Sequence, residues 1–245
     1  MFASNTHITD LEATVGYTGD RFDGENLLEF RLLYSGRVLG ASKNDTRAEM
    51  KHALRREFHP QLRQLWGSNR NLDQYARHHT RPWMIKNPDQ VGIAQATFTN
   101  EQWRQIGIGC ISENWQRGKY NFVPLVTEEL GLRCRLDILF LRPESPQYVM
   151  KGGDLDARVK TIFDALRIPA NLDETGASDP QEDETPFFCL LSDDKLISSL
   201  SVTCDDLLVL PKERNVNPND TFLVVHVQLS MISRSSSTTL SYLFD

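Results

Sequence analysis

Gly152-Gly153-Asp154-Leu155-Asp156-Ala157-Arg158-Val159-Lys160 is a loop turning into a helix, and the rest of the chain can be read outward from it. Apolar residues at Leu155, Val159, Ile162, Phe163 and Leu166 follow a 3.6-residue period. Pro169 stands just beyond, as a proline past a helix end should. The glycine pair gives the backbone freedom to turn into that helix. Asp156 and Lys160 are one turn apart and share a face, where an ordinary i,i+4 pair also forms. Asp154 and Asp156 converge only if Asp154 ends an extended segment and Asp156 opens the helix. A lone Asp-x-Asp needs no such role, because the helix dipole favours acids at a helix start.

Upstream, Leu132, Cys134, Leu136, Ile138 and Phe140 alternate with Arg133, Arg135 and Asp137. That predicts a strand with one buried face, leading through Leu141 towards Pro143. A short helix over 124–130 is expected before it. Downstream, 170–186 carries Asp173, Glu174, Asp179, Glu182, Asp183 and Glu184 without an apolar period. It reads as an acidic, mobile loop. The apolar run Phe187–Leu191 leads into Asp193-Asp194. Two more strands follow, one around Leu200, Val202 and Cys204 and one over Leu223–Met231. His226 on the last strand reads as structural.

Towards the start, Leu28, Phe30, Leu32 and Tyr34 predict a strand. Thr46-Arg47-Ala48-Glu49 matches a capping box. Met50, Leu54, Phe58, Leu62 and Leu65 continue it as a helix that Pro60 should kink or divide near His59. The other side of that helix holds Arg47, Lys51, Arg55, Arg56 and Arg63. It is either a solvated face or a phosphate-contacting patch. Over 67–121, Tyr75, Trp83, Trp103 and Trp115 are interleaved with arginines and histidines. Such a segment is an insertion packed on the main sheet or, alternatively, a stacking surface for nucleic acid.

The predicted fold is α+β: a small mixed β-sheet with helices on one face. Residues 1–26 form a lead-in, 27–232 a single domain with the 67–121 insertion and the acidic loop, and 233–245 a flexible tail. The 245 residues are 40% hydrophobic, enough for a core. Net charge of −6 argues against a generic nucleic-acid coat. Four scattered cysteines without a Cys-x-x-Cys spacing read as reduced thiols of a cytoplasmic protein. No run approaches a membrane span.

If Asp154, Asp156 and one of Asp193 and Asp194 converge, their mutual repulsion calls for hard divalent cations. Such ions could activate water for phosphodiester hydrolysis. Lys160 would then stabilise charge on the phosphate or orient the water.

Asp154-Leu-Asp156-x-x-x-Lys160, then Phe163-Asp164-Ala165-Leu166, then Asp193-Asp194 before a strand resembles the RusA family of Holliday junction resolvases. The resemblance covers 27–66 and 130–231, in a form about twice the usual family length that looks like a longer bacterial branch. It implies a homodimeric, Mg²⁺-dependent endonuclease, with Mn²⁺ as a substitute ion, that cuts branched DNA in recombination and repair. Carried over by position, Asp154, Asp156, Asp194 and Lys160 are the catalytic residues, and Asp193 joins the three aspartates as a metal ligand. Arg47, Lys51, Arg55, Arg56 and Arg158 are the expected DNA contacts. Ala157 stands where family members usually have asparagine. A catalytically weakened DNA-binding or protein-interaction module is therefore the alternative. A metal-dependent hydrolase of a small phosphoester is a third.

Overall fold

The strand read most clearly from the sequence, β4 (Leu132–Arg142), lies inside the main sheet of the computed structural model, which describes residues 28–38, 46–142, 155–175, 178–208 and 220–231. It pairs antiparallel with β7 (Thr221–Met231) and parallel with β6 (Ile197–Asp206). β1 (Leu28–Gly36) pairs antiparallel with β7, giving the order β1-β7-β4-β6. The two-residue side-chain period puts Leu32, Val225 and Ile138 in one cross-strand row on the buried face. Burying each such side chain contributes about 1.5–3 kcal/mol. The opposite face carries Glu29, Arg31, Arg135, Asp137 and His226. There His226 joins three adjacent strands, with Nε2 2.7 Å from Glu29 Oε1 and Nδ1 3.5 Å from Asp137 Oδ2.

A second sheet has the order β2-β3-β5, from β2 (Gln116–Arg117), β3 (Tyr120–Val126) and β5 (Phe187–Leu191). β3 and β5 run parallel and are almost wholly buried, which is why both read as continuous apolar runs rather than alternating ones. The helix predicted over 124–130 is not formed. Pro124 sits within β3, and the chain then turns through 127–131. Thr127 Oγ1 accepts from Leu130 N, and Gly131 takes φ +60°, where glycine is favoured.

α1 (Thr46–Ser68) runs unbroken through Pro60, contrary to the predicted division. Its apolar side, Leu54, Phe58, Leu62, Leu65 and Trp66, is buried against β1, β5 and the neighbouring helices, and that packing outweighs the one helical bond proline removes. The 67–121 insertion is largely helical: α2 (Arg70–His78), α3 (Arg81–Lys86), α4 (Pro88–Thr97) and α5 (Asn100–Glu113). α2 and α5 pack closely and give Leu72, Ala76, Ile108 and Ile111 to the main core. α6 (Leu155–Leu166) packs against α1 and β5. The fold is α+β. No described helix is long and apolar enough to cross a membrane. All four cysteines are free thiols; burial pushes those of Cys134 and Cys189 up to about 12.

Candidate active site on helix α6

α6 turns one side inward, burying Val159, Ile162, Ala165 and Leu166. Asp156 and Lys160 are left exposed one turn apart. Asp156 Oδ1 accepts from the backbone N–H of Ala157 at 2.6 Å, using one of the first-turn amides that have no partner within the helix. Asp193 and Asp194 follow β5. Asp193 is extended and caps a short 3-10 turn, Asp194–Leu196, by accepting from Lys195 N at 3.0 Å. Its other oxygen lies 3.9 Å from Lys195 Nζ, which also pairs with Glu128 Oε1 at 2.7 Å. Asp193 is therefore engaged as the cap of this turn, while Asp194 is exposed. Leu196 is buried and packs the turn against α6 and β4.

Exposed carboxylates are the donor type a hard divalent cation prefers. Among the described residues, however, no group of three or more His, Cys, Asp or Glu side chains could hold a metal ion. Asp154 lies outside the described residues, and a complete shell would need it.

The stripe Asp156, Lys160, Asp164 advances along one side of the helix at steps of four and passes from solvent into the interior. Asp164 is buried. Its carboxylate takes Lys51 Nζ at 2.6 Å and Arg167 Nη2 at 2.9 Å, and its carbonyl accepts from Arg55 Nη2 at 2.6 Å. These bonds fix α6 on α1. In the sequence Asp164 stands within Phe163-Asp164-Ala165-Leu166, and no local pattern names its partners. The available signal was its place four residues beyond Lys160.

The same bonds correct the reading of the basic stripe on α1. Arg55 is buried at 1% exposure and donates to the carbonyls of Arg167, Asp164 and Glu174 and to His52 Nδ1. Arg56 makes a two-pronged pair with Glu184, and Arg63 donates to the Asp183 carbonyl. Lys51, Arg55 and Arg56 are thus neither a solvated face nor a phosphate patch. Arg55 and Arg56 hold the acidic segment, whose described residues include two 3-10 turns, Leu172–Thr175 and Glu182–Glu184, while Lys51 holds α6 through Asp164. Arg158 is also buried, at 5% exposure, and so is not displayed to a phosphate. The Arg47 side chain lies outside the described residues.

His52 completes this packing. Because Arg55 donates to its Nδ1, Nε2 carries the proton and donates to Tyr120 Oη at 3.1 Å; Tyr120 Oη in turn lies 3.3 Å from Ser178 Oγ, which donates to the Thr175 carbonyl. Burial, then Arg55 and Arg56, bring the His52 pKa down to about 3, so it stays neutral.

No family model matches the chain, and neither a curated protein nor a solved structure matches it.

Proposed function

We propose that the chain is a divalent-cation-dependent endonuclease that hydrolyses phosphodiesters in branched DNA, acting as a homodimer. The observation that carries this reading is the exposed pair Asp156 and Lys160 on a helix against which the Asp193-Asp194 turn is packed. Asp156 and Asp194, with Asp154, would hold Mg²⁺ or Mn²⁺, which when bound supplies a Lewis acid and a more acidic water. Lys160 keeps its ammonium in solvent at the same helix start. From there it would hold a phosphate oxygen by charge and stabilise the negative charge that grows on it. Asp164, buried and paired with Lys51, keeps this helix face fixed.

The test is incision of a labelled four-way junction in Mg²⁺ or Mn²⁺, with Asp156→Asn and Lys160→Ala as paired variants. Wild type should cut, both variants should lose at least about a hundredfold in rate, and chelation should abolish cutting. Failure of wild type on junctions, flaps, single strands and RNA across divalent ions would sink the proposal.

A second reading, a non-catalytic DNA-binding or protein-interaction module, draws on the internal engagement of the α1 arginines and on the lack of a three-ligand group among the described residues. Mn²⁺ titration separates the two. A nuclease site binds the ion and loses it with Asp156→Asn, whereas the module does not bind.

A further inference from the structure

Three buried polar atoms without a hydrogen-bond partner among the described residues fall in one row at one end of the main sheet. They are Thr221 Oγ1 on β7, Arg142 Nε on β4 and Asp206 Oδ1 on β6. Arg142 stands opposite Asp206 in the parallel ladder, yet these two atoms are not bonded to one another. Thr221 lies one step beyond the last antiparallel pair, Leu141 with Phe222, and so comes beside Arg142 on its other side. Side chains in one row of adjacent strands share a face. Here it is the buried face, which Phe140 and Leu223 occupy two residues away. Thr221 and Arg142 are 1% and 7% exposed. A buried polar group without a partner is costly, so three together mark a place shaped for something polar.

A second guanidinium comes from α6. Arg158, on its first turn, is 5% exposed. Burial lowers its pKa first and Arg142 lowers it next, so the two guanidiniums are close enough to repel; exposed Arg37 adds to that repulsion. Burial raises the Cys204 thiol, and Arg142 and Arg158 both pull it back, which agrees with a site over the Cys204 end of β6. Against these cations the row sets one carboxylate, Asp206, because Asp205 alternates to the other face of the sheet. The balance is positive, and the start of α6 adds the favourable end of a helix dipole.

The donors and the acceptor define the ligand. Arg142 Nε and Thr221 Oγ1 can donate to oxyanion oxygens, while Asp206 Oδ1 accepts from a group that carries a proton. Hydrogen phosphate meets both demands, since it keeps a P–OH at neutral pH. Sulfate and a phosphodiester have no such proton and would set an oxygen against the Asp206 carboxylate. A strand phosphate also cannot reach the buried guanidiniums. A small free ion can enter at β6, the edge of the sheet, where Asp206 is partly exposed.

We infer that the row Thr221, Arg142 and Asp206, closed by Arg158 of α6, is a binding site for hydrogen phosphate. The parallel strands β4 and β6 both end here, and the carboxyl ends of parallel strands are where open sheets take their ligands. The site goes beyond the nuclease reading and does not rest on it: it uses neither Asp156 nor Lys160 and needs no divalent ion.

The experiment follows the melting temperature of the full chain in EDTA, together with titration calorimetry. Inorganic phosphate is compared with sulfate and dimethyl phosphate at matched ionic strength. Phosphate should raise the melting temperature with its concentration, and the other two should not. Thr221→Val removes the hydroxyl and keeps the shape. Without phosphate it should melt no lower than wild type, because no bond is lost, yet it should weaken phosphate binding about tenfold. Asp206→Asn puts a donor beside the acceptor and should bring sulfate binding up to that of phosphate. Arg135→Gln, on the opposite face of the sheet, should change neither. Methyl phosphate acting as strongly as phosphate supports the site and makes a phosphomonoester end its occupant. Equal responses of wild type to phosphate and sulfate overturn the inference. So does a phosphate response that survives both Thr221→Val and Asp206→Asn. No response at all also overturns it and leaves the row to be bridged by water alone.

Discussion

Lys51 Nζ lies 2.6 Å from Asp164 Oδ2, with the two side chains only 17% and 8% exposed, and this pair ties the candidate active-site helix to α1. Asp164 is shared with Arg167, which has a second partner in Glu174 at 3.0 Å. Removing one member of a buried pair strands the other charge, while replacing both with apolar groups does not. Asp164→Asn should therefore cost about 3 kcal/mol, read as a lower urea midpoint with an unchanged slope. Lys51→Met combined with Asp164→Leu should recover most of that loss. Equal destabilisation by the single and the double change would show that the charge pair is not the cause.

His59 makes stability depend on pH. Its Nδ1 accepts from Phe188 N at 2.8 Å, so Nε2 carries the proton and donates to the Asp183 carbonyl at 3.0 Å. A second proton would have to enter at Nδ1, against the Phe188 N–H. Burial first, with Arg63 adding to it, holds its pKa below the ordinary 6.5; the Asp183 carbonyl and the carboxylates of Glu184 and Asp183 pull the other way. The folded chain thus keeps neutral imidazole where the unfolded chain takes up a proton. The stability this supplies is full above 6.5 and is lost as pH falls from there towards the folded value. His52, brought down to about 3, acts with the same sign. Urea midpoints measured from neutral pH down to about 5 should fall for wild type. His59→Gln keeps one donor and one acceptor without titrating and should fall less steeply. Identical slopes would remove His59 from the account.

The elements framing the candidate site were legible because one local pattern dominates each. In β4 strict alternation records a sheet with one buried face, and in α6 the 3.6-residue period records a buried side closed by Pro169. The α1 arginines were not legible, because the partner of Arg56 lies 128 residues away and no local pattern names it. β3 was missed because Pro124 reads as a break; among the described residues β3 pairs with β2 only at Tyr120 and Asn121, so no described strand lies along the rest of that edge, where a missing N–H costs little. α3 and α4 bury almost nothing, so they carry no stripe to detect. Asp156, Lys160 and Asp194 are exposed, and no local pattern reports whether carboxylates distant in the sequence meet in space.

Gly107 is where α5 meets α2. A Cβ there would stand 1.6 Å from the Ala76 carbonyl oxygen, a backbone atom with no flexible end to move. Gly107→Ala should force the helices apart and cost about 3 kcal/mol, despite alanine's better helix propensity. Gly109, in the same helix, has nothing within 4 Å of such a Cβ. Gly109→Ala should therefore stabilise by up to about 1 kcal/mol. Melting temperatures of the two variants should move in opposite directions. A shift of the same sign would show that α2 and α5 are not in close backbone contact.

β1 is an edge strand, and Gln61 from α1 covers its outer side. Leu33 N donates to Gln61 Oε1 at 2.9 Å, and Gln61 Nε2 donates to Leu33 O at 2.7 Å, so the side chain reproduces the two bonds a further strand would make. An uncovered edge is a template for another chain. Gln61→Ala should cost about 1 kcal/mol and raise light scattering with protein concentration. Gln61→Glu keeps the acceptor but sets a carboxylate oxygen against Leu33 O, so it should lose as much stability while its charge limits association. The Leu33 side chain is 38% exposed at the same point. Leu33→Lys in the Gln61→Ala background should therefore suppress the scattering without restoring the lost stability. That outcome separates edge protection from simple destabilisation, because an unfolding-driven aggregate would not respond to a charge placed on this one strand.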